Sequence, residues 1–225
     1  MSAKHNLRLY DEIMLLALRE GKGTIETGAW YQQAVGGAVL AELVMEERLK
    51  IAHDGKKSLV KVRSRHDVGD ELLDEWLDRI AADKVRNVEH WINKIAGTKD
   101  LKGRIARGLA RRKILRVSED KVLLFFSRKI YPEMDPEPER ALRERLRNAV
   151  LSERGDVDAR TSVLLSLAKG TGLIELVFDK KERKRHDRRI ESIINGDACG
   201  AAVRDVVAAT QVVMTSVVFT PTFSH

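Results

Sequence analysis

The sequence predicts a mainly α-helical protein, in which a central helical bundle is surrounded by amphipathic helices and accompanied by one or two β-hairpins. Apolar residues recur at helical spacing along most of the chain, two short runs have the strand–turn–strand pattern, and one long uncharged segment suits a buried helix. With 225 residues, 43% of them apolar, the chain can bury a sizeable core. We expect residues 1–225 to form a single domain.

The first two predicted helices lie near the N-terminus. Leu9, Ile13 and Leu16 fall at i, i+4 and i+7, which is the stripe of an amphipathic helix. A second helix is predicted from Tyr31 to Glu47. The Gly36-Gly37 pair inside it is unusual, because each glycine costs a helix about 1 kcal/mol relative to alanine. Close packing of another helix is the expected reason, and close approach of a ligand is the alternative.

The remaining helices are predicted from apolar stripes of the same kind. In chain order they run over Leu72–Ile80, Val88–Ile95, Leu101–Leu109, Leu142–Val150, Val163–Leu167 and Ile190–Ile194. Trp76 and Trp91 lie on the apolar faces of the first two, so both indole rings are expected in the core. Gly170-Thr171-Gly172 is typical of a turn that ends a helix.

Two segments have the pattern of a β-hairpin. In the first, His53–Lys57 is the expected turn and Ser58–Val62 the strand that follows it. In the second, Ile114–Val117 and Val122–Phe126 are the expected strands, and Ser118–Asp120 is the expected turn.

The uncharged, valine-rich segment Val206–Phe219 is shorter than the roughly 20 apolar residues that span a bilayer. We interpret it as a buried central helix of the bundle. A buried strand is the alternative that the pattern leaves open.

The chain has no recognisable catalytic or metal-binding motif. Its single cysteine, Cys199, excludes an internal disulfide and a cysteine-based zinc site. The six histidines are scattered without the spacing of a metal site; they are His5, His53, His66, His90, His186 and His225. We therefore expect no enzymatic activity, no metal and no cofactor. Met1–Asn6 has no apolar signal region, so a cytoplasmic location is expected.

Basic residues outnumber acidic ones, and the formal net charge of +7 favours an anionic partner such as nucleic acid or a lipid headgroup surface. The densest basic segment is 99–116. On a helix, Arg104, Arg107 and Arg111 fall at i, i+3 and i+7, where they form one positive face that suits phosphate. A second basic cluster, 180–189, has the composition of a solvated helix start.

Several phrases of the sequence, in their order and spacing, resemble the Golgi phosphoprotein family. They are Leu9-Tyr-Asp-Glu-Ile13 with Leu15-Leu16, Leu40-Ala-Glu-Leu43 with Arg48-Leu49, Leu72-Leu-Asp-Glu75, Trp91-Ile92, Arg104–Leu115 leading into Leu123-Leu-Phe125, and Asp158–Leu167. The resemblance covers nearly the whole chain. It implies a helical bundle with a projecting β-hairpin, and a peripheral membrane adaptor that reads phosphatidylinositol 4-phosphate, on the cytosolic face of the Golgi in a eukaryotic cell.

The resemblance also implies a headgroup site. In family members a tryptophan and an arginine near the start of the second helix, and two basic residues at the entry to the basic helix, surround the phosphoinositide. Lys99 and Lys102 match the last two, Trp30 lies near the position of the tryptophan, and Gly36 stands at the position of the arginine. The residues expected to bind an anionic phospholipid headgroup are Trp30, Lys99, Lys102, Arg104 and Arg107.

In family members the hairpin serves self-association, so the resemblance also implies a homo-oligomer. The residues expected to form its contact are Leu115, Val117, Val122 and Leu124. The resemblance identifies no protein client for this chain.

Two other interpretations stay open. The helix–hairpin units and the positive charge are compatible with a winged-helix-like nucleic-acid-binding protein. Against it, Val35–Val44, the first recognition helix in that interpretation, is apolar and glycine-rich instead of rich in Arg, Asn and Gln. The second is a helical scaffold that only self-associates, through the strand Val122–Phe126.

Overall fold

The computed structural model describes residues 6–18, 23–25, 30–55, 57–122, 126–152 and 155–199, together with 207, 210–213 and 215–216. It confirms the predicted fold class, a mainly helical protein with small antiparallel sheets. The α-helices are α1 (Leu9–Ala17), α2 (Tyr31–Met45), α3 (Glu71–Ala82), α4 (Val88–Ala96), α5 (Leu101–Arg111), α6 (Glu137–Leu151), α7 (Ala159–Gly170), α8 (Lys180–Arg185) and α9 (Asp187–Ile194). A short 3-10 helix, Leu173–Leu176, lies between α7 and α8.

Helices α1, α2 and α7 form the centre of the bundle. Every residue of α1 is buried, α2 is buried from Ala34 to Val44, and α7 is buried from Thr161 to Ala168. A helix that is buried on every side needs neighbours on every side, and the amphipathic helices supply them: α1 packs against α5 and α6, and α2 against α3 and α4. Trp76 of α3 and Trp91 of α4 are fully buried, which confirms their predicted place in the core.

Helices α2 and α4 pack closely at Gly36. A Cβ atom added there would lie 2.6 Å from the carbonyl oxygen of Ile92, so only glycine fits. The expectation of close helix packing is therefore confirmed for Gly36. The same contact places this position in the interior, so Gly36 does not face a headgroup as the family pattern would require.

The strands form two antiparallel sheets among the described residues. The first has the order β1 (Leu49–Asp54), β2 (Lys57–Val62), β3 (Arg86–Asn87), and β1 and β2 form the first predicted hairpin. The very short β3 was not predicted.

The second sheet pairs β4 (Ser118–Val122) with β5 (Phe126–Ile130). The prediction of a turn at Ser118–Asp120 was wrong, because these residues belong to a strand. In an antiparallel ladder the hydrogen bonds come from the backbone, so the polar side chains that indicated a turn do not prevent pairing.

The valine-rich segment is described only in part. Its described positions, 207, 210–213 and 215–216, are helical, and Val207, Thr210 and Val213 are buried. The ends of the prediction, Val206 and Phe219, lie outside the described residues. Of the helices that the structure describes, none combines the length and the apolar character needed to cross a membrane.

Asp11, Glu12 and Glu42 of the central helices α1 and α2 are buried, and each faces arginine. Asp11 Oδ1 is 2.8 Å from Arg112 Nη2, and Glu12 Oε1 is 3.0 Å from Arg145 Nη2. Glu42 pairs with Arg8 and Arg160. Burial raises the pKa of Glu12 to about 7, although Arg145 and Arg160 act in the opposite direction. Burial likewise raises the pKa of Asp11.

We expect Glu12 to make stability depend on pH between its unfolded pKa of 4.5 and its folded pKa of about 7. The folded protein holds this proton more tightly than the unfolded chain does, so the free energy of unfolding falls as pH rises through that window. Between about pH 5 and about pH 8, the free energy of unfolding of wild type, measured by urea denaturation, should fall by at least about 1 kcal/mol relative to that of Glu12→Gln. The comparison cancels the opposite slope from His90, whose pKa burial lowers. A pH-independent difference between the two proteins would contradict the expectation.

Candidate functional site

The candidate site is built around the first turn of α5. Asp100, just before the helix, has a left-handed backbone with φ of 55°, and its carboxylate folds back over Gly103. A Cβ atom on Gly103 would lie 2.2 Å from Asp100 Oδ1, so this arrangement requires glycine. Arg107, two turns along the helix, donates from Nη1 to Asp100 Oδ2 at 2.9 Å and holds the carboxylate in place. Lys99 and Lys102 stay exposed on either side of Asp100.

A cleft of about 410 Å³, here called the lysine cleft, opens beside this turn. It is lined by Thr24, Ile25, Asp100, Lys102, Lys129 and Tyr131. Its wall is fixed by the backbone, because the Tyr131 N–H donates to the Gly23 carbonyl oxygen at 2.7 Å. Gly23 has φ of +60°, and a Cβ atom there would lie 2.5 Å from the nitrogen of Pro132. A larger residue at position 23 would therefore displace the wall of the cleft.

Cations outnumber acids in the lysine cleft. Lys129 Nζ lies 3.9 Å from Asp100 Oδ1, and Lys102 Nζ lies 5.7 Å from the ring centre of Tyr131. The hydrogen bond from Arg107, with the nearby charges of Lys129 and Lys102, lowers the pKa of Asp100. Asp100 is thus ionised at neutral pH and faces three cations. The resulting positive excess suits an anionic ligand such as a phosphate group.

The predicted positive face of α5 lines a second cleft of about 440 Å³, here called the arginine cleft. On one side it is lined by residues of α5 and by the residue that follows it: Arg104, Ile105, Arg107, Gly108, Arg111 and Arg112. The opposite side is lined by Tyr10, Asp11, Asp70, Glu71 and Leu72. Arg104 Nη2 is 2.5 Å from Glu75 Oε2, so this arginine is held towards α3. The structure therefore does not gather the five predicted headgroup residues in one place. Lys102 lines the lysine cleft and Arg104 the arginine cleft, and Arg107 lines the arginine cleft while its Nη1 bonds Asp100 of the lysine cleft.

Trp30 lies at the start of α2, where its backbone N–H donates to the carbonyl oxygen of Thr171 at 3.2 Å. It is half-buried. Within the described part of the chain, it is not among the residues that line either cleft. Residues 26–29, which join it to the wall of the lysine cleft, lie outside the described residues.

Comparison with known proteins shows which family this chain belongs to. A family model described as Golgi phosphoprotein 3 (GPP34) matches residues 9–210, which include α1 to α9 and both sheets. The chain belongs to the Golgi phosphoprotein 3 family. A relative in Schizosaccharomyces pombe, Vacuolar protein sorting-associated protein 74, is 24% identical over 173 residues. That match covers 68% of this chain, and the chain spans half the length of this curated relative.

In this Golgi phosphoprotein 3 family member, the structure describes the side chains of two of the four predicted self-association residues, Leu115 and Val117. Leu115 is fully buried, so it belongs to the core and not to an accessible hairpin face. Val117 is 40% exposed. Val122 ends β4, and Leu124 lies outside the described residues.

Sequence reasoning missed Lys129 and Tyr131, which line the lysine cleft in this family member. Lys129 lies in β5 and Tyr131 directly follows that strand, far in sequence from Lys102. The available signal was their spacing, since residues two apart on a strand share a face. Among the described residues, the His, Cys, Asp and Glu side chains form no group that could hold a metal ion.

Proposed function

We propose that this Golgi phosphoprotein 3 family member is a non-enzymatic peripheral membrane protein that binds the phosphate-bearing headgroup of an anionic phospholipid in its lysine cleft. The single observation that supports this most is the positive excess of Lys102, Lys129 and Arg107 around one carboxylate, Asp100. The family is one of phosphatidylinositol 4-phosphate-binding Golgi adaptors, which makes that lipid the first candidate. Cytoplasmic, membrane-peripheral location belongs to the same proposal, on the Golgi in a eukaryotic cell.

The chemistry of the cleft favours a phosphate monoester. A monoester carries up to two negative charges near neutral pH, whereas the diester of an ordinary phospholipid carries one. Lysine ammonium groups act as compact point charges with three donors each, and they suit a group that presents several oxygens. Lys99, exposed just outside the cleft, adds attraction towards an anionic surface, to which each such residue contributes roughly 1 kcal/mol.

The burial of α2 weighs against the nucleic-acid-binding alternative. Val35–Val44, the recognition helix in that interpretation, is buried throughout and cannot enter a DNA groove without unfolding the core. Self-association through the second hairpin stays part of the proposal, with Val117 as the exposed apolar residue at its base.

We expect the protein to float with vesicles that contain phosphatidylinositol 4-phosphate and to bind more weakly to vesicles of equal charge made with phosphatidylserine. It should not bind vesicles of pure phosphatidylcholine. The attraction is partly electrostatic, so raising the salt concentration should weaken it. Flotation on the three vesicle types at low and physiological salt measures this ranking. Absence of binding to neutral and anionic vesicles alike at low salt would overturn the proposed function.

A further inference from the structure

Gly108 in the arginine cleft has no packing reason to be glycine. It lies in the middle of α5, where glycine is unfavourable relative to alanine. A Cβ atom added to Gly36 or Gly103 would collide with a neighbour. One added to Gly108 would meet, among the described residues, only the Nη2 atom of Arg112, at 4.0 Å. Because Gly108 has no side chain, its backbone faces open space in the wall of the arginine cleft.

Arginine side chains surround this bare patch. Arg104, Arg111 and Arg112 are spaced three or four residues from Gly108 and share its helix face, and Arg107 lies beside it. Arg111 is 71% exposed, and its partner in the structure is Glu71, at 3.9 Å. Its guanidinium is thus available to a stronger partner.

Glu71 lies loosely between two of these arginines. Its two carboxylate oxygens are each 3.9 Å from a guanidinium nitrogen, one of Arg104 and one of Arg111. These distances exceed the range of a hydrogen bond, and the Glu71 side chain is 81% exposed. The other two carboxylates that line the cleft, Asp11 and Asp70, already have close partners. Asp11 lies 2.8 Å from Arg112, and Asp70 accepts a hydrogen bond from the Tyr10 hydroxyl at 2.6 Å.

We propose that the arginine cleft is a second anion site, which takes a phosphate monoester against the bare backbone at Gly108. Arg104 and Arg111, the two arginines that Glu71 faces, donate to the phosphate oxygens, and the carboxylate of Glu71 is the internal anion that the ligand displaces. Arginine forks bind phosphate in a bidentate manner, which gives shorter contacts than Glu71 makes. The cleft volume of about 440 Å³ admits a phosphorylated ring and not only an inorganic ion. This site does not depend on headgroup binding in the lysine cleft.

The test measures binding of inositol monophosphate by calorimetry in the Lys99→Ala plus Lys102→Ala background, which removes one cation of the lysine cleft and one just outside it. We expect residual, salt-sensitive affinity that falls about tenfold in Arg111→Ala and in Gly108→Leu, because each change removes or blocks a charge-assisted contact. Glu71→Gln should raise the affinity several-fold. Arg116→Ala is the matched control, since it removes the same charge from an exposed residue outside the cleft.

Vesicles that contain phosphatidylinositol 4-phosphate, tested with the same variants, distinguish the source of the phosphate. Variant effects on both probes identify a lipid headgroup as the ligand, and effects on the soluble probe alone identify a free phosphate ester. The proposal is overturned if the Glu71→Gln protein in the Lys99→Ala plus Lys102→Ala background binds neither probe at low salt. It is also overturned if Arg111→Ala and Gly108→Leu bind as well as Arg116→Ala while their thermal unfolding matches that of the parent.

Discussion

Replacing Glu42 by alanine should lower the free energy of unfolding by about 3–5 kcal/mol, because it breaks a buried charge cluster. Glu42 is 1% exposed, and its Oε2 atom accepts a 2.8 Å hydrogen bond from the Leu9 N–H in the first turn of α1. Its Oε1 atom pairs with Arg8 and Arg160. The variant would leave the Leu9 N–H without its acceptor, and it would remove one carboxylate partner from each of Arg8 and Arg160. Urea denaturation at neutral pH measures the loss.

Glu46→Ala is the control for this variant. Glu46 also pairs with Arg8, at 2.7 Å, but its side chain is 36% exposed, so its removal should cost less than about 1 kcal/mol. Similar losses for the two variants would show that burial does not decide the contribution of this cluster.

Alanine at Gly36 and alanine at Gly108 should have opposite effects on stability. Gly36→Ala forces a methyl group to within 2.6 Å of the Ile92 carbonyl oxygen, so α2 and α4 must separate, at a cost of about 1–3 kcal/mol. Gly108→Ala places its methyl group in open space and gains helix propensity, which should stabilise the protein by about 0.5–1 kcal/mol. Thermal unfolding of the two variants beside wild type measures both shifts. A neutral Gly36→Ala would contradict the close packing of these helices.

The amphipathic helices could be predicted from the sequence, because a periodic apolar stripe fixes both helix type and buried face. Leu72, Trp76 and Ile80 behave as that rule requires. Helix α1 was predicted as amphipathic, but it is buried on every side. It carries Asp11 and Glu12 inside the core, and no local pattern shows that Arg112, Arg145 and Arg160 lie opposite them. Pairing of buried charges is decided by tertiary structure and not by neighbours in sequence.

The candidate site was predictable in part for the same reason. Lys102 was predicted from the family resemblance and the positive face of α5 from helical spacing, and the structure places both beside clefts. Lys129 and Tyr131 line the lysine cleft because the end of the second hairpin packs beside Gly23 and the start of α5. The polar residues of β4 gave no indication of how β4 and β5 pair. Gly36 is a case in which the family pattern does not hold. It stands where family members have a headgroup-binding arginine, but here it packs against the backbone of α4.

Headgroup binding by the lysine cleft is tested most directly by flotation of two matched double variants on vesicles that contain phosphatidylinositol 4-phosphate. Lys99→Ala plus Lys102→Ala should reduce the affinity at least about tenfold, since each lysine contributes roughly 1 kcal/mol at an anionic surface. Lys180→Ala plus Lys181→Ala removes the same charge from exposed lysines of α8 and should bind nearly as wild type does. Equal losses in the two variants, or no loss in the first, would contradict a headgroup site at the start of α5.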